Sequence, residues 1–193
     1  MKERIQKILS DSSELHSILL GDYTLQRSIQ QIVKICVEAF RNGNKLLLCG
    51  NGGSASDAQH IAAELSGRFY KDRPPLHAEA LNVNTSYITA VANDFGYDHT
   101  FARMIEAYGK KKDILLAIST SGNSNNIIEV LKKARSLDIF TIGFSGNNIS
   151  KMQSLCDIII NVPSNNTARI QEIHILCGHI ICQLIEEEMF PNV

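Results

Sequence analysis

Gly50-Asn51-Gly52-Gly53-Ser54-Ala55-Ser56-Asp57-Ala58-Gln59-His60-Ile61-Ala62-Ala63-Glu64 packs a strand exit, a glycine turn, a helix start and a pair of acid/base or metal-ligating side chains into one stretch. Just before it, Leu46-Leu47-Leu48-Cys49 is a continuous apolar run, the pattern of a strand buried on both faces. Gly52 and Gly53 supply a permissive backbone that lets amide N–H groups turn towards a ligand. Ser54 is placed to cap the helix that follows. Asp57, three residues on, stands where a carboxylate answers the cap and meets the positive helix end. At about 100° per residue, positions 57, 60 and 64 share one side of that helix, so His60 and Glu64 can reach one ion or one substrate. By spacing alone, the same i, i+4 pair reads first as a solvated helix face.

A second loop repeats the device. Ile114-Leu115-Leu116-Ala117-Ile118 is another apolar strand, and Ser119-Thr120-Ser121-Gly122-Asn123-Ser124 follows it directly. Ser124 is a good N-cap for a helix beginning around Asn125, so hydroxyls and unpaired N–H groups converge at a positive helix end that suits an anion. The loop lacks GxxxxGK[ST], and the chain has no GxGxxG, so a small phosphorylated ligand fits better than a nucleotide. One strand–Gly/Ser–helix junction more often turns the chain than binds anything. Two at the carboxyl ends of parallel strands point to the crevice where open α/β sheets take their ligands.

Length and composition narrow the class. With 193 residues, 44% apolar and 20% charged, the chain suits one well-buried domain. A formal net charge of −1 gives no field for nucleic acid or an anionic membrane. No apolar run approaches a membrane span and the amino terminus leads into no signal-peptide core, so a cytoplasmic location is expected. Cys36, Cys49, Cys156, Cys177 and Cys182 form no CxxC pair and sit among apolar neighbours, as buried free thiols do.

Apolar spacing predicts helices over 3–20 and 23–42, with Gly43 stopping the second. Strands are expected at 45–49, 78–82, 113–118, 139–144 and 157–162, separated by helical segments near 54–68, 85–93, 97–108, 124–136 and 150–154. Arg73-Pro74-Pro75 breaks the chain after the first crossover helix. That alternation predicts a three-layer α/β/α sandwich around a five-stranded, mostly parallel sheet. Residues 1–42 read as an N-terminal helical arm and 43–193 as the α/β core, ending in a helix over 167–188. In that last helix Ile170, Ile173, Leu176, Cys177, Ile180, Ile181, Leu184 and Ile185 cover more than one sheet face needs, so burial on several sides, by another subunit among others, is expected. Its His174 reads as a hydrogen-bonded core residue.

GNGGSASDAQHIAAEL, Asn93-Asp94, STSGNS and Thr167-Ala168-Arg169-Ile170-Gln171-Glu172-Ile173-His174 together resemble the bacterial phosphoheptose isomerases of the sugar-isomerase (SIS) superfamily. The resemblance covers nearly all of the chain, which then forms a single SIS domain over 1–193. It implies a homotetramer with active sites between subunits, and heptose supply for cell-surface polysaccharide. It also implies one zinc ion per subunit held by His60, Glu64, Gln171 and His179. Asn51, Gly52, Gly53, Glu64, Asn93, Asp94, Ser119, Thr120, Ser121, Ser124 and Gln171 would surround the sugar phosphate.

Imidazole and carboxylate suit zinc, whereas an amide oxygen is a weaker ligand. Gln171 and His179 lie roughly 12 Å apart along one helix, so the ligands are expected to converge from more than one element or subunit. The implied reaction is a ketose–aldose interconversion through a cis-enediol, converting sedoheptulose 7-phosphate to D-glycero-D-manno-heptose 7-phosphate. Glu64 is the candidate base and His179 the candidate acid. Neither can be a tight metal ligand and a free proton carrier at one instant. Asp57 has two readings, as the capping carboxylate or as acceptor from the second imidazole nitrogen of His60. Rival functions are isomerisation of a pentose or aminosugar phosphate, and a non-catalytic adaptor that binds a replication initiator; the adaptors lack equivalents of Glu64 and His179.

Overall fold

The computed structural model describes residues 1–193 except residue 148. Helices α1 (Lys2–Leu20) and α2 (Tyr23–Arg41) lead into β1 (Leu46–Gly50), α3 (Gly53–Ser66), β2 (Ala78–Ala80) and α4 (Thr85–Phe95). A 3-10 turn over Tyr97–His99 precedes α5 (Thr100–Tyr108), and then come β3 (Ile114–Ile118), α6 (Asn125–Ser136), β4 (Phe140–Ser145), a 3-10 turn over Lys151–Ser154, β5 (Ile158–Asn161) and α7 (Thr167–Met189). The sheet order is β2-β1-β3-β4-β5, and every pairing is parallel.

Continuous apolar strands follow from a sheet covered on both faces. Leu46 and Leu48 of β1, with Ile114, Leu116 and Ile118 of β3, face a core shared with α1, α2, α3 and α7. Leu47, Cys49, Leu115 and Ala117 face the opposite core, built with α5 and α6. Three sequence expectations need adjusting here. The expected strand 78–82 pairs only over Ala78–Ala80, the helix expected over 97–108 splits after a 3-10 turn, and the segment near 150–154 is a 3-10 turn.

The apolar arc of α7 divides between the core of its own chain and an exposed groove. Ile181 is 3% exposed and Ile185 fully buried, both inside the core of their own chain, while Ile180 is 36% exposed. Ile180, Leu176 and Leu184 line a groove shared with α1 and α2. Ile181→Glu should therefore abolish folding, because an unpaired carboxylate at a filled core position costs several kcal/mol. Ile180→Glu should fold, and circular dichroism of the two variants separates the two positions.

The segment after α3 closes on a buried ion pair. Glu186 of α7 accepts from Arg73 Nε at 3.0 Å and from the backbone N–H groups of Phe69, Tyr70 and Lys71 at 3.2, 2.8 and 2.9 Å. Arg73 donates in turn to the carbonyls of Leu65, Gly67, Pro74 and Glu64. Burial raises the Glu186 carboxyl, but the three N–H groups and Arg73 outweigh it and hold it below its ordinary value.

His174 is fully buried, and its Nε2 donates to the Ser145 carbonyl at 3.2 Å, while Nδ1 has no partner among the described residues. Burial pushes its pKa down from 6.5 to about 4, against the opposing effect of that hydrogen bond. A histidine depressed in the fold binds its proton more readily when unfolded, so stability should fall as pH drops from 6.5 towards 4, by roughly 3 kcal/mol in all. His174→Gln should remove that part of the slope in denaturant titrations across this range.

Candidate active site

The strand order reverses between β1 and β3, and the two ligand-type loops leave these neighbouring strands at their carboxyl ends. In the β1 loop, Gly52 has φ of +55° and serves as the N-cap of α3, which begins at Gly53. Ser54 is consequently inside the first turn and 4% exposed, with no capping hydrogen bond, contrary to its expected role. The earlier start also moves Asp57 to the fifth helical position, beyond the free N–H groups of the first turn. Among the described residues its Oδ2 is buried without a partner, so neither expected hydrogen bond is present at that atom. Burial raises the Asp57 carboxyl to about 6, with His60 pulling the other way.

In the β3 loop Ser124 is the N-cap of α6, but its hydroxyl makes no capping hydrogen bond among the described residues. It lies 3.2 Å from the Ser119 hydroxyl, which is also 3.4 Å from that of Ser121. The β4 exit braces this loop from behind: Gly146 N–H donates to the Thr120 carbonyl and Met152 N–H to that of Gly122. Gly122 has φ of +63°, and a Cβ there would lie 2.4 Å from Ser150, so only glycine fits. Three hydroxyls thus gather beside the start of α6.

One hydrogen-bond network spans the two loops. Asn51 Nδ2 donates to Asn126 Oδ1 at 2.9 Å, Asn126 Nδ2 returns a bond to Asn51 Oδ1 at 2.8 Å, and the Tyr97 hydroxyl donates to the same oxygen at 2.9 Å. Asn125 Nδ2 adds a bond to Asp98 at 3.2 Å. Asn126 and Tyr97 escape sequence reading because their partner is distant in the chain. Asn93 and Asp94, near the end of α4, bond to each other at 2.8 Å and are exposed.

A separate cluster forms where α7 crosses α3. Ligand atoms of His60, Glu64 and His179 all lie within 4.8 Å of one another. His60 Nε2 is 3.0 Å from Glu64 Oε1 and 2.9 Å from His179 Nε2. A single nitrogen facing both another imidazole nitrogen and a carboxylate oxygen cannot satisfy both with one proton. A shared cation satisfies all three donors, and two imidazoles with a carboxylate are the ligand chemistry of zinc. Gln171, two turns earlier on α7, instead lies over the start of α3: a Cβ on Gly53 would sit 2.3 Å from its Nε2. Within one chain the four implied ligands therefore divide, three in the cluster and Gln171 beside the glycine turn.

A family model for the SIS domain matches residues 18–146. A phosphoheptose isomerase from Aneurinibacillus thermoaerophilus is 48% identical over 100% of this chain and 97% of its own length. One from Aliarcobacter butzleri is 55% identical over 86% of this chain and 88% of its own. Among solved structures, a phosphoheptose isomerase from Neisseria gonorrhoeae superposes with a TM-score of 0.90 at 39% identity, covering 96% of this chain and 98% of that one. The fold and its two loops are those of a sugar-isomerase domain. Within that class, the chain belongs to the phosphoheptose isomerases, a family of aldose–ketose isomerases.

Proposed function

We propose that the chain interconverts sedoheptulose 7-phosphate and D-glycero-D-manno-heptose 7-phosphate, supplying heptose for cell-surface polysaccharide such as lipopolysaccharide. The observation that carries this reading is the meeting of Glu64, His60 and His179 from two helices, in a chain that also presents two helix starts suited to a phosphate. Glu64 takes the proton from C1 of the ketose, giving a cis-enediol. His179 supplies the acid that returns a proton at C2, while the hydroxyl proton passes between O1 and O2. Glu64 turns Oε1 towards His60, which leaves Oε2 for the proton. Zinc held by His60, Glu64 and His179, with Gln171 as a further ligand, would supply a Lewis acid for the enediolate oxygens.

The phosphate rests on Ser119, Thr120, Ser121 and Ser124 at the α6 start, with Asn51, Gly52, Gly53 and Gln171 on the facing side and Asn93 and Asp94 towards the sugar. Ser121→Ala and Ser124→Ala should each raise KM about tenfold or more with a smaller change in kcat, since a hydrogen bond to a charged group is worth roughly 1.5–3 kcal/mol. Steady-state kinetics of each variant checks this.

The assembly is a homotetramer in the cytoplasm, with sites completed at subunit interfaces. The exposed apolar groove between α1, α2 and α7 supports association. Among the described residues no helix is long and apolar enough to cross a membrane. A panel of sedoheptulose 7-phosphate, ribulose 5-phosphate and fructose 6-phosphate, read by aldose formation, tests the substrate. Preference for either shorter ketose would replace the heptose assignment.

A further inference from the structure

We propose that Asn126 and Tyr97 are positioning residues that lock the two substrate loops into one phosphate-binding frame. The inference rests on the sugar-phosphate reading of those loops.

Asn126 is 2% exposed, yet it is the second residue of α6, one turn from the serine hydroxyls. Its amide spends a donor and an acceptor on Asn51 alone, forming a reciprocal pair across the point where the strand order reverses. Tyr97 adds a donor to Asn51 Oδ1, so this oxygen accepts from both amide and phenol. Three bonds hold one side chain, which fixes its amide orientation.

Asn51 leads directly into Gly52, which adopts a positive φ and has no side chain whose packing could hold the turn. Besides the Asn51 clamp, the glycine turn is held by helix-start bonds from Ser54 back to Asn51 and from Ala55 and Ser56 back to Gly52. The same 3-10 turn that carries Tyr97 also reaches α6 through Asp98 and Asn125. Tyr97–His99 therefore straps the start of α6 to the β1 loop. A frame held this way presents the two helix starts at a fixed separation before substrate arrives, and pre-organisation of this kind shows in binding.

The test uses Asn126→Ala and Tyr97→Phe in the full chain, with KM and kcat for sedoheptulose 7-phosphate, the Kd of inorganic phosphate by calorimetry, and Tm. Tyr97 is 50% exposed, so Tyr97→Phe removes one hydroxyl without opening the core. The expected result is a rise of about tenfold in KM and in phosphate Kd for Asn126→Ala, and about threefold for Tyr97→Phe, with kcat at saturation within about threefold. A purely structural role would move Tm and leave KM and phosphate Kd in place. Unchanged KM and phosphate Kd in Tyr97→Phe, or in a folded Asn126→Ala, overturns the proposal; if Asn126→Ala does not fold, Tyr97→Phe decides. If the unaltered protein binds phosphate but does not turn over sedoheptulose 7-phosphate, the substrate reading fails while the phosphate titrations still test the frame.

Discussion

Glu64→Gln should lower turnover of sedoheptulose 7-phosphate by at least about 10²-fold while the protein stays folded, because a positioned base typically contributes that much. The substitution keeps the shape of the side chain and removes its charge. Its backbone carbonyl remains tied to Arg73, so the end of α3 is held as before. His179→Gln should have a comparable effect from the acid side, since it removes the imidazole that meets His60 at 2.9 Å. Measured kcat with a circular dichroism spectrum checks both. Near-normal turnover in either variant would remove that residue from the mechanism.

A large effect on stability is also expected at this same end of α3, where Arg73 meets Glu186. Glu186→Ala leaves the Arg73 guanidinium and three backbone N–H groups without their acceptor, in a pair whose side chains are 0% and 2% exposed. Breaking a buried pair by removing one partner costs about 3–5 kcal/mol, a large share of the roughly 5–15 kcal/mol that holds a domain together. Arg73→Met with Glu186→Leu should recover much of that loss, because no buried charge is then left alone. Glu186 titrates below its ordinary value in the fold, so its contribution is present above the unfolded value of 4.5 and is lost as pH falls through the folded one. Urea denaturation of the single and double variants at neutral pH checks the ordering; a single variant as stable as the parent contradicts it.

What the sequence made legible follows from how local the cause is. Leu46-Leu47-Leu48 and Ile114-Leu115-Leu116 announce strands buried on both faces, and the parallel sheet follows from helical connections up to β4, with a 3-10 turn in the last one. The helix after β1 is equally plain, but its first residue is not. Paired glycines let it start at Gly53, which turns Ser54 from a cap into a buried first-turn residue and moves Asp57 past the capping positions. The spacing of His60 and Glu64 is visible in the sequence. The arrival of His179 beside them depends on how α7 crosses α3, for which spacing carries no signal.

Long-range polar pairs are hidden for the same reason. Arg73 reads as part of a chain break before two prolines, and only the fold shows it gripping Glu186 and four carbonyls. Asn126 reads as an ordinary early helix residue until Asn51 is placed opposite it. The width of the α7 apolar arc shows that several neighbours cover it without saying which. Ile181 and Ile185 meet their own chain's core, and Ile180 is left at the exposed groove.

The most direct measurement is incubation of the purified protein with sedoheptulose 7-phosphate, followed by nuclear magnetic resonance of the sugar carbons, with added zinc and with chelator in parallel. The account predicts resonances of D-glycero-D-manno-heptose 7-phosphate growing as those of the ketose fall, faster with zinc than with chelator. A ketose spectrum that stays unchanged in both samples would contradict it.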